Sequence, residues 1–416
     1  MMLVIPKMTL LVAASYCIAA LMVPAFGANQ RQLGRTRQLL ESGKSPTVVC
    51  LGDSVTGVYY HTGGRRAYPE LLQASLRETF PRSEVRVINA GVSGNRTADG
   101  LARLTSDVLK FKPDLVVVMF GLNDMEGVPL QRFVENLGEI NARIQDAGAE
   151  IIVCTPNDIL DSRMRRRPEL IKYVTATRDF CASHSVALVD VFEAFESFRR
   201  SHESEFLYEM NDAIHPNLNG HRRIATILSS AIVGQAVTTA DAPAAAPHLR
   251  EHLRKRRPIK VATILPEGAI DELTFRELWP ANEIELAEYV TDGKSIARLA
   301  NDLIGLRALH PDLVVVGLPD VACEGSEQAC FAEYNKLLNL CFSGGQQEWD
   351  VILLPPSVVK LESAHANCDQ DSLVRRLVSA RDLPLIERGK NDRRALAAIV
   401  SNWLAQHVCQ VTRNSP

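Results

Sequence analysis

Five short, almost wholly apolar runs, at 47–51 (TVVCL), 85–89 (VRVIN), 115–120 (LVVVMF), 150–154 (EIIVC) and 187–191 (ALVDV), alternate with amphipathic segments of helix length. A strand that is apolar on both faces belongs in a sheet covered on both sides. Helices between successive strands supply that cover, so the pattern predicts a parallel α/β sheet. Two of the helical segments carry proline near their start, Pro69 before ELLQASL and Pro168 before ELIKYV, where a missing N–H costs nothing. A last helix from about Leu218 to Val233 closes this unit.

The 416 residues exceed what one ordinary core needs, which predicts about two to three domains. Periodicity fades over 234–257, an Ala/Pro stretch (TTADAPAAAP) followed by the basic run Arg250 to Arg257, read as a linker ending in a solvated helix or tether. Beyond it the pattern restarts over 258–416. Pro113-Asp114-Leu115-Val116-Val117-Val118 returns as Pro311-Asp312-Leu313-Val314-Val315-Val316, and Glu150-Ile151-Ile152-Val153-Cys154 resembles Asp350-Val351-Ile352-Leu353-Leu354. The shared PDLVVV string predicts an internal duplication.

Residues 1–27 differ from the rest: Lys7 precedes an apolar run from Met8 to Phe26 that ends in Ala25-Phe26-Gly27, a pattern predicting a signal peptide or a retained N-terminal anchor. Either places residues 28–416 outside the cytoplasm, secreted or periplasmic, with a membrane contact only if the segment is retained. Cys50 and Cys154 fall in buried strands and read as packed thiols. The five cysteines of the C-terminal half lack metal-ligand spacing, so no metal is expected, and one or two disulfides are expected there. A formal charge of −3 gives no basic footprint for nucleic acid, and no phosphate-binding glycine motif appears, so no cofactor is expected.

The residues that can carry chemistry stand at the ends of the predicted strands, where open α/β sheets build their sites. Gly52-Asp53-Ser54 follows the first run, Gly91-Val92-Ser93-Gly94-Asn95 the second, Gly121-Leu122-Asn123-Asp124 the third, and Asp212-Ala213-Ile214-His215-Pro216 precedes the last helix. Acyl transfer needs a nucleophile, a base and donors aimed at the developing oxyanion. Ser54 is the expected nucleophile and His215 the base, with Asp212 orienting the imidazole. The Ser54 backbone N–H, the Gly94 backbone and the Asn123 side-chain amide are the expected oxyanion donors. Tyr59, Tyr60 and Arg65, near His61 and Arg66, are expected to line the mouth of the site and contact substrate.

These blocks resemble those of the SGNH/GDSL hydrolases over about residues 45 to 233. The first block matches Gly52-Asp53-Ser54, the second Gly94, the third Gly121-Leu122-Asn123-Asp124 and the fifth Asp212 to His215, with Val55 in place of the usual leucine. The resemblance implies a flavodoxin-like three-layer α/β/α catalytic domain over 28–233, with Ser54, Gly94, Asn123 and His215 as its named residues. It also implies metal-free hydrolysis of esters or thioesters of lipids, acylated sugars or small acyl compounds. The expected activity is therefore an extracytoplasmic serine esterase acting on short acyl esters, carbohydrate O-acetyl groups among them. A lipid or lysophospholipid esterase and a glycan-binding protein with a vestigial site are the alternatives. The second copy reads as degenerate and non-catalytic: Gly268 is expected where Ser54 stands, and no Asp-x-x-His precedes its last helix.

Overall fold

A computed structural model of the chain describes residues 33–57, 60–64, 66–238, 246–318, 326–345, 347–359, 368–389 and 391–409. Strands β1 (Thr47–Gly52), β2 (Arg86–Gly91), β3 (Leu115–Met119), β4 (Glu150–Cys154) and β5 (Ala187–Val189) form one parallel sheet in the order β2-β1-β3-β4-β5. That is the flavodoxin-like doubly wound order, whose switch point lies between β1 and β3. Alternate strand residues feed two cores. Val48, Cys50, Val117 and Ile152 face the helices Tyr68–Thr79 and Leu218–Val233, whereas Val49, Leu51, Val116, Val118 and Val153 face Leu130–Asp146. Burial on both faces is the physical reason these strands read as unbroken apolar runs.

Strands β6 (Ile259–Leu265), β7 (Ile284–Val290), β8 (Leu313–Gly317) and β9 (Asp350–Leu354) form a second parallel sheet, ordered β7-β6-β8-β9. This is the first order one strand short. An isolated parallel bridge between Leu353 and Leu385 stands where β5 pairs with β4 in the first sheet. The duplication extends to single hydrogen bonds. Asp114 accepts the Thr47 N–H at 2.9 Å and donates its own N–H to the Thr47 carbonyl; Asp312 does the same with Lys260, its carboxylate accepting at 2.8 Å. Glu150 caps the helix Gly34–Glu41 through the N–H groups of Arg35 and Thr36, and Asp350 accepts the N–H of Leu249 in the helix Pro247–Arg254.

The structure bears on three sequence expectations. Of the two readings of the basic run, helix or tether, it takes the helix, Pro247–Arg254, anchored by the fully buried Leu249 in a core of the second half. The strand register also moves the position equivalent to Ser54. Val48 pairs with Leu115 as Val261 pairs with Leu313, so Glu267, not Gly268, occupies the place of the serine. The third concerns disulfides: Cys330 and Cys341 are free thiols, while Cys323 and the side chain of Cys368 lie outside the described residues. Cys50 and Cys154 are buried free thiols in β1 and β4. Residues 1–27 lie outside the described residues, and among the described residues no helix is long and apolar enough to cross a membrane.

Candidate active site

β1 ends at Gly52, and the chain turns at once into the short helix Ser54–Gly57. Asp53 makes the turn: its carboxylate accepts the Val55 N–H at 2.9 Å and its carbonyl accepts the N–H groups of Thr56 and Gly57, an Asx-type helix start. Burial pushes its carboxyl up to about 6 against the opposing Val55 hydrogen bond. The helix crosses β2 so closely that a Cβ on Gly91 would lie 2.3 Å from the Gly57 nitrogen. Two glycines thus let the sheet hold Ser54 on rigid backbone.

Ser54 Oγ lies 2.8 Å from His215 Nε2, and His215 Nδ1 lies 2.7 Å from Asp212 Oδ2. The other Asp212 oxygen accepts the N–H groups of Ile214 and His215, each at 2.9 Å. The turn is held from outside by the loop after β4, where Asn157 Nδ2 donates to the Ile214 carbonyl and the Leu160 N–H to the Ala213 carbonyl. Asn217 then caps the last helix through the N–H groups of Asn219 and Gly220. A carboxylate at Nδ1 fixes the proton there and leaves Nε2 to accept from the serine hydroxyl. Burial alone would raise the Asp212 carboxyl. The hydrogen bond and charge of His215 and the Ile214 N–H together hold it well below the usual carboxylate range.

Gly94 sits after β2 in a turn closed by the Asn95 N–H on the Val92 carbonyl at 3.2 Å. Its φ of +77° is the left-handed value that the third position of a type II turn requires. Asn123, after β3, donates Nδ2 to the Asn95 carbonyl at 3.0 Å and accepts Arg165 Nη2 on Oδ1 at 2.9 Å. Arg165 is itself held by Glu126, so the amide orientation is set and the second Nδ2 hydrogen remains for a ligand. Beneath, Thr97 donates Oγ1 to Asp124 at 2.6 Å and accepts Asn136 Nδ2 at 3.0 Å, tying the second and third loops together. Arg103 adds a further tie through Asn95 and the carbonyls of Ala90 and Gly52.

Two groups escaped the sequence reading. His61 is fully buried rather than at the mouth, its ring stacked on His215 at 3.8 Å between centroids and its Nε2 3.8 Å from Asp212 Oδ2. Burial, then the charge of His215, lowers its pKa well below the ordinary value, so it stays neutral beside the pair. The spacing of seven from Ser54 gives no sign of this, because only tertiary packing folds the segment back. Arg381, from the second half, is fully buried and donates Nη2 to Asn211 Oδ1 at 2.6 Å, one residue from Asp212. Burial lowers its pKa to about 9 against the pull of Asp212, which leaves it cationic at neutral pH. Of the residues expected to meet substrate, Tyr59 and Arg65 lie outside the described residues. Tyr60 is described only in its backbone, at the start of the turn Tyr60–Thr62.

A parallel sheet of this order, with serine, histidine and aspartate in hydrogen-bonded series beyond its strand ends, defines a hydrolase-type α/β domain. Residues 50–223 belong to the GDSL-like lipase/acylhydrolase family. The chain is 34% identical over 113 residues to an arylesterase of Vibrio mimicus, a match covering 27% of this chain and 55% of that protein, so it spans about half of that relative's length. It is 25% identical over 211 residues to an acetylxylan esterase of Geobacillus stearothermophilus, covering 45% of this chain and 93% of that one. Among solved structures, LAE5 from the metagenome of Lake Arreo is 31% identical, with 45% of this chain and 96% of that chain covered and a TM-score of 0.39.

Proposed function

We propose that the protein is an extracytoplasmic serine esterase that removes short acyl groups from carbohydrate or other small esters through an acyl-enzyme. The observation that carries the reading is the series Ser54 Oγ to His215 Nε2 at 2.8 Å and His215 Nδ1 to Asp212 at 2.7 Å. In this reading Ser54 Oγ attacks the ester carbonyl as its proton passes to His215 Nε2, and Asp212 stabilises the imidazolium. The oxyanion is received by the backbone N–H groups of Ser54 and Gly94 and by the second Nδ2 hydrogen of Asn123. Collapse releases the alcohol with the proton from His215, and a water deprotonated by His215 then frees the acid and restores Ser54. The arylesterase and acetylxylan esterase relatives support an ester substrate, and the leader-like residues 1–27 support an extracytoplasmic location. The test is turnover of p-nitrophenyl acetate, lost in Ser54→Ala.

A further inference from the structure

The helix Pro247–Arg254 carries His248 and His252 one turn apart on the same face, and both imidazoles meet a single oxygen. His248 Nε2 and His252 Nδ1 each lie 3.2 Å from Asp312 Oδ1, and the two rings stack with centroids 4.4 Å apart. The second Asp312 oxygen accepts the Lys260 N–H at 2.8 Å, which fixes the carboxylate immediately before β8. The first half, its duplicate, fills the same place differently. By strand pairing Asp312 stands where Asp114 does, and by the capping of the helix N–H groups His248 stands where Arg35 does and His252 where Leu39 does. There Arg35 Nη2 closes the Asp114 oxygen at 3.1 Å, a donor with no lone pair. In the second half two imidazoles replace that guanidinium, and each can offer a lone pair instead.

A tetrahedral ion with ligands about 2.0–2.1 Å away spaces them about 3.3 Å apart, close to both nitrogen-to-oxygen separations here. All three ligand atoms lie within 4.8 Å of one another, so the remaining edge closes by turning rings whose χ2 is soft. The contact of His252 Nδ1 with the Pro258 carbonyl, at 3.5 Å, is longer than a normal hydrogen bond and does not fix that ring. The imidazole side chains are 27% and 17% exposed, so water can reach a fourth position. Neighbouring cations are drawn off, Arg254 and Lys255 by Glu251 and Lys260 by Glu285. We propose that His248, His252 and Asp312 hold a divalent transition-metal ion, zinc by their two nitrogens and one carboxylate oxygen, which clips this helix onto the second sheet. The ion is structural, its binding free energy adding to the stability of the half that holds it.

The test titrates full-length, chelator-treated protein with zinc chloride in a calorimeter, beside His248→Arg, which restores the pairing of the first half, and His252→Leu. The unaltered protein should bind one zinc with a Kd of about 1 μM, weaker than a four-ligand structural site. Each variant should lose that site or bind at least about 100-fold less tightly, more than the loss of an outer-shell partner costs. Zinc at about 100 times Kd should raise the melting temperature of the unaltered protein by several degrees and of neither variant. Without zinc both variants should keep the circular dichroism and p-nitrophenyl acetate turnover of the unaltered protein, because neither residue touches the Ser54 series. If one variant fails to fold, the other decides. Equal zinc affinity and stoichiometry in all three proteins would overturn the site. So would zinc that only inhibits turnover, equally in all three, because the ion then sits at His61, Asp212 and His215.

Discussion

Asn123 does two jobs at once. In the proposed mechanism its second amide hydrogen receives the oxyanion, and the side chain also joins the Asn95 carbonyl to Arg165. Asn123→Ala should therefore lower kcat by roughly 10²-fold to 10³-fold, as for one lost oxyanion donor. It should also cost about 1–2 kcal/mol in chemical denaturation, since two hydrogen-bonded groups lose a partner. Ser54→Ala should lower turnover by several orders of magnitude with circular dichroism unchanged, because the hydroxyl contributes little to packing. The buried histidines set a pH dependence. His221 accepts the Tyr68 N–H on Nδ1, and burial, then the charge of His215, depresses its pKa to about 3; His61 is depressed in the same direction. A histidine depressed on folding contributes stability in full above its unfolded value of about 6.5, and loses it as pH falls toward the folded value. Asp53, raised to about 6, acts oppositely: its contribution is full below about 3.9 and fades as pH rises through 6. Two histidines outweigh one carboxyl, so the melting temperature should drop from about pH 6.5 to 4. His221→Asn, whose side-chain oxygen can still accept the Tyr68 N–H, should make the drop shallower.

At the scale of elements, the site depends on how closely β1, the helix after it and β2 approach one another. Gly91→Ala would place a methyl 2.3 Å from the Gly57 backbone nitrogen, where no side chain can move aside. It should cost about 3 kcal/mol or more by overpacking and remove activity with it, as read by urea denaturation and ester turnover. Gly94→Ala meets nothing within 4 Å and carries only its φ of +77°, so it should fold with a loss of about 1–2 kcal/mol. The five strands and the capped last helix were legible because sheet burial and helix capping leave local patterns. The role of His61 was not, since its contact with His215 spans 154 positions and leaves no periodic trace.

The two halves are not beads on a tether. Tyr208 of the first half sits in the second core, donates its hydroxyl to Glu327 at 2.7 Å and lies 3.6 Å beneath the Arg376 guanidinium. Asp382 pairs with Arg222, and Arg381 reaches Asn211 beside the site. If the second copy is non-catalytic, as its sequence reads, a chain ending near Pro243 would keep small-ester activity provided the first half buried its own core. The shared core predicts otherwise: that truncation should lower the melting temperature by several degrees, expose Tyr208 and depress kcat. Undiminished p-nitrophenyl acetate turnover by a truncated chain of unchanged melting temperature would show that the second half is dispensable.

The sequence by itself determined the doubly covered parallel sheet, the duplication and the approximate places of Ser54, Gly94, Asn123, Asp212 and His215. All of these are written in local hydrophobic pattern and in motifs tied to strand ends. Only the tertiary structure decided that Glu267 stands at the position equivalent to Ser54, because register depends on which residues pair across strands. It also decided that His61 stacks on His215 and that Arg381 reaches Asn211, beside Asp212, from the far half. Burial of long-range partners is a property of packing, which no neighbouring residue in the chain encodes.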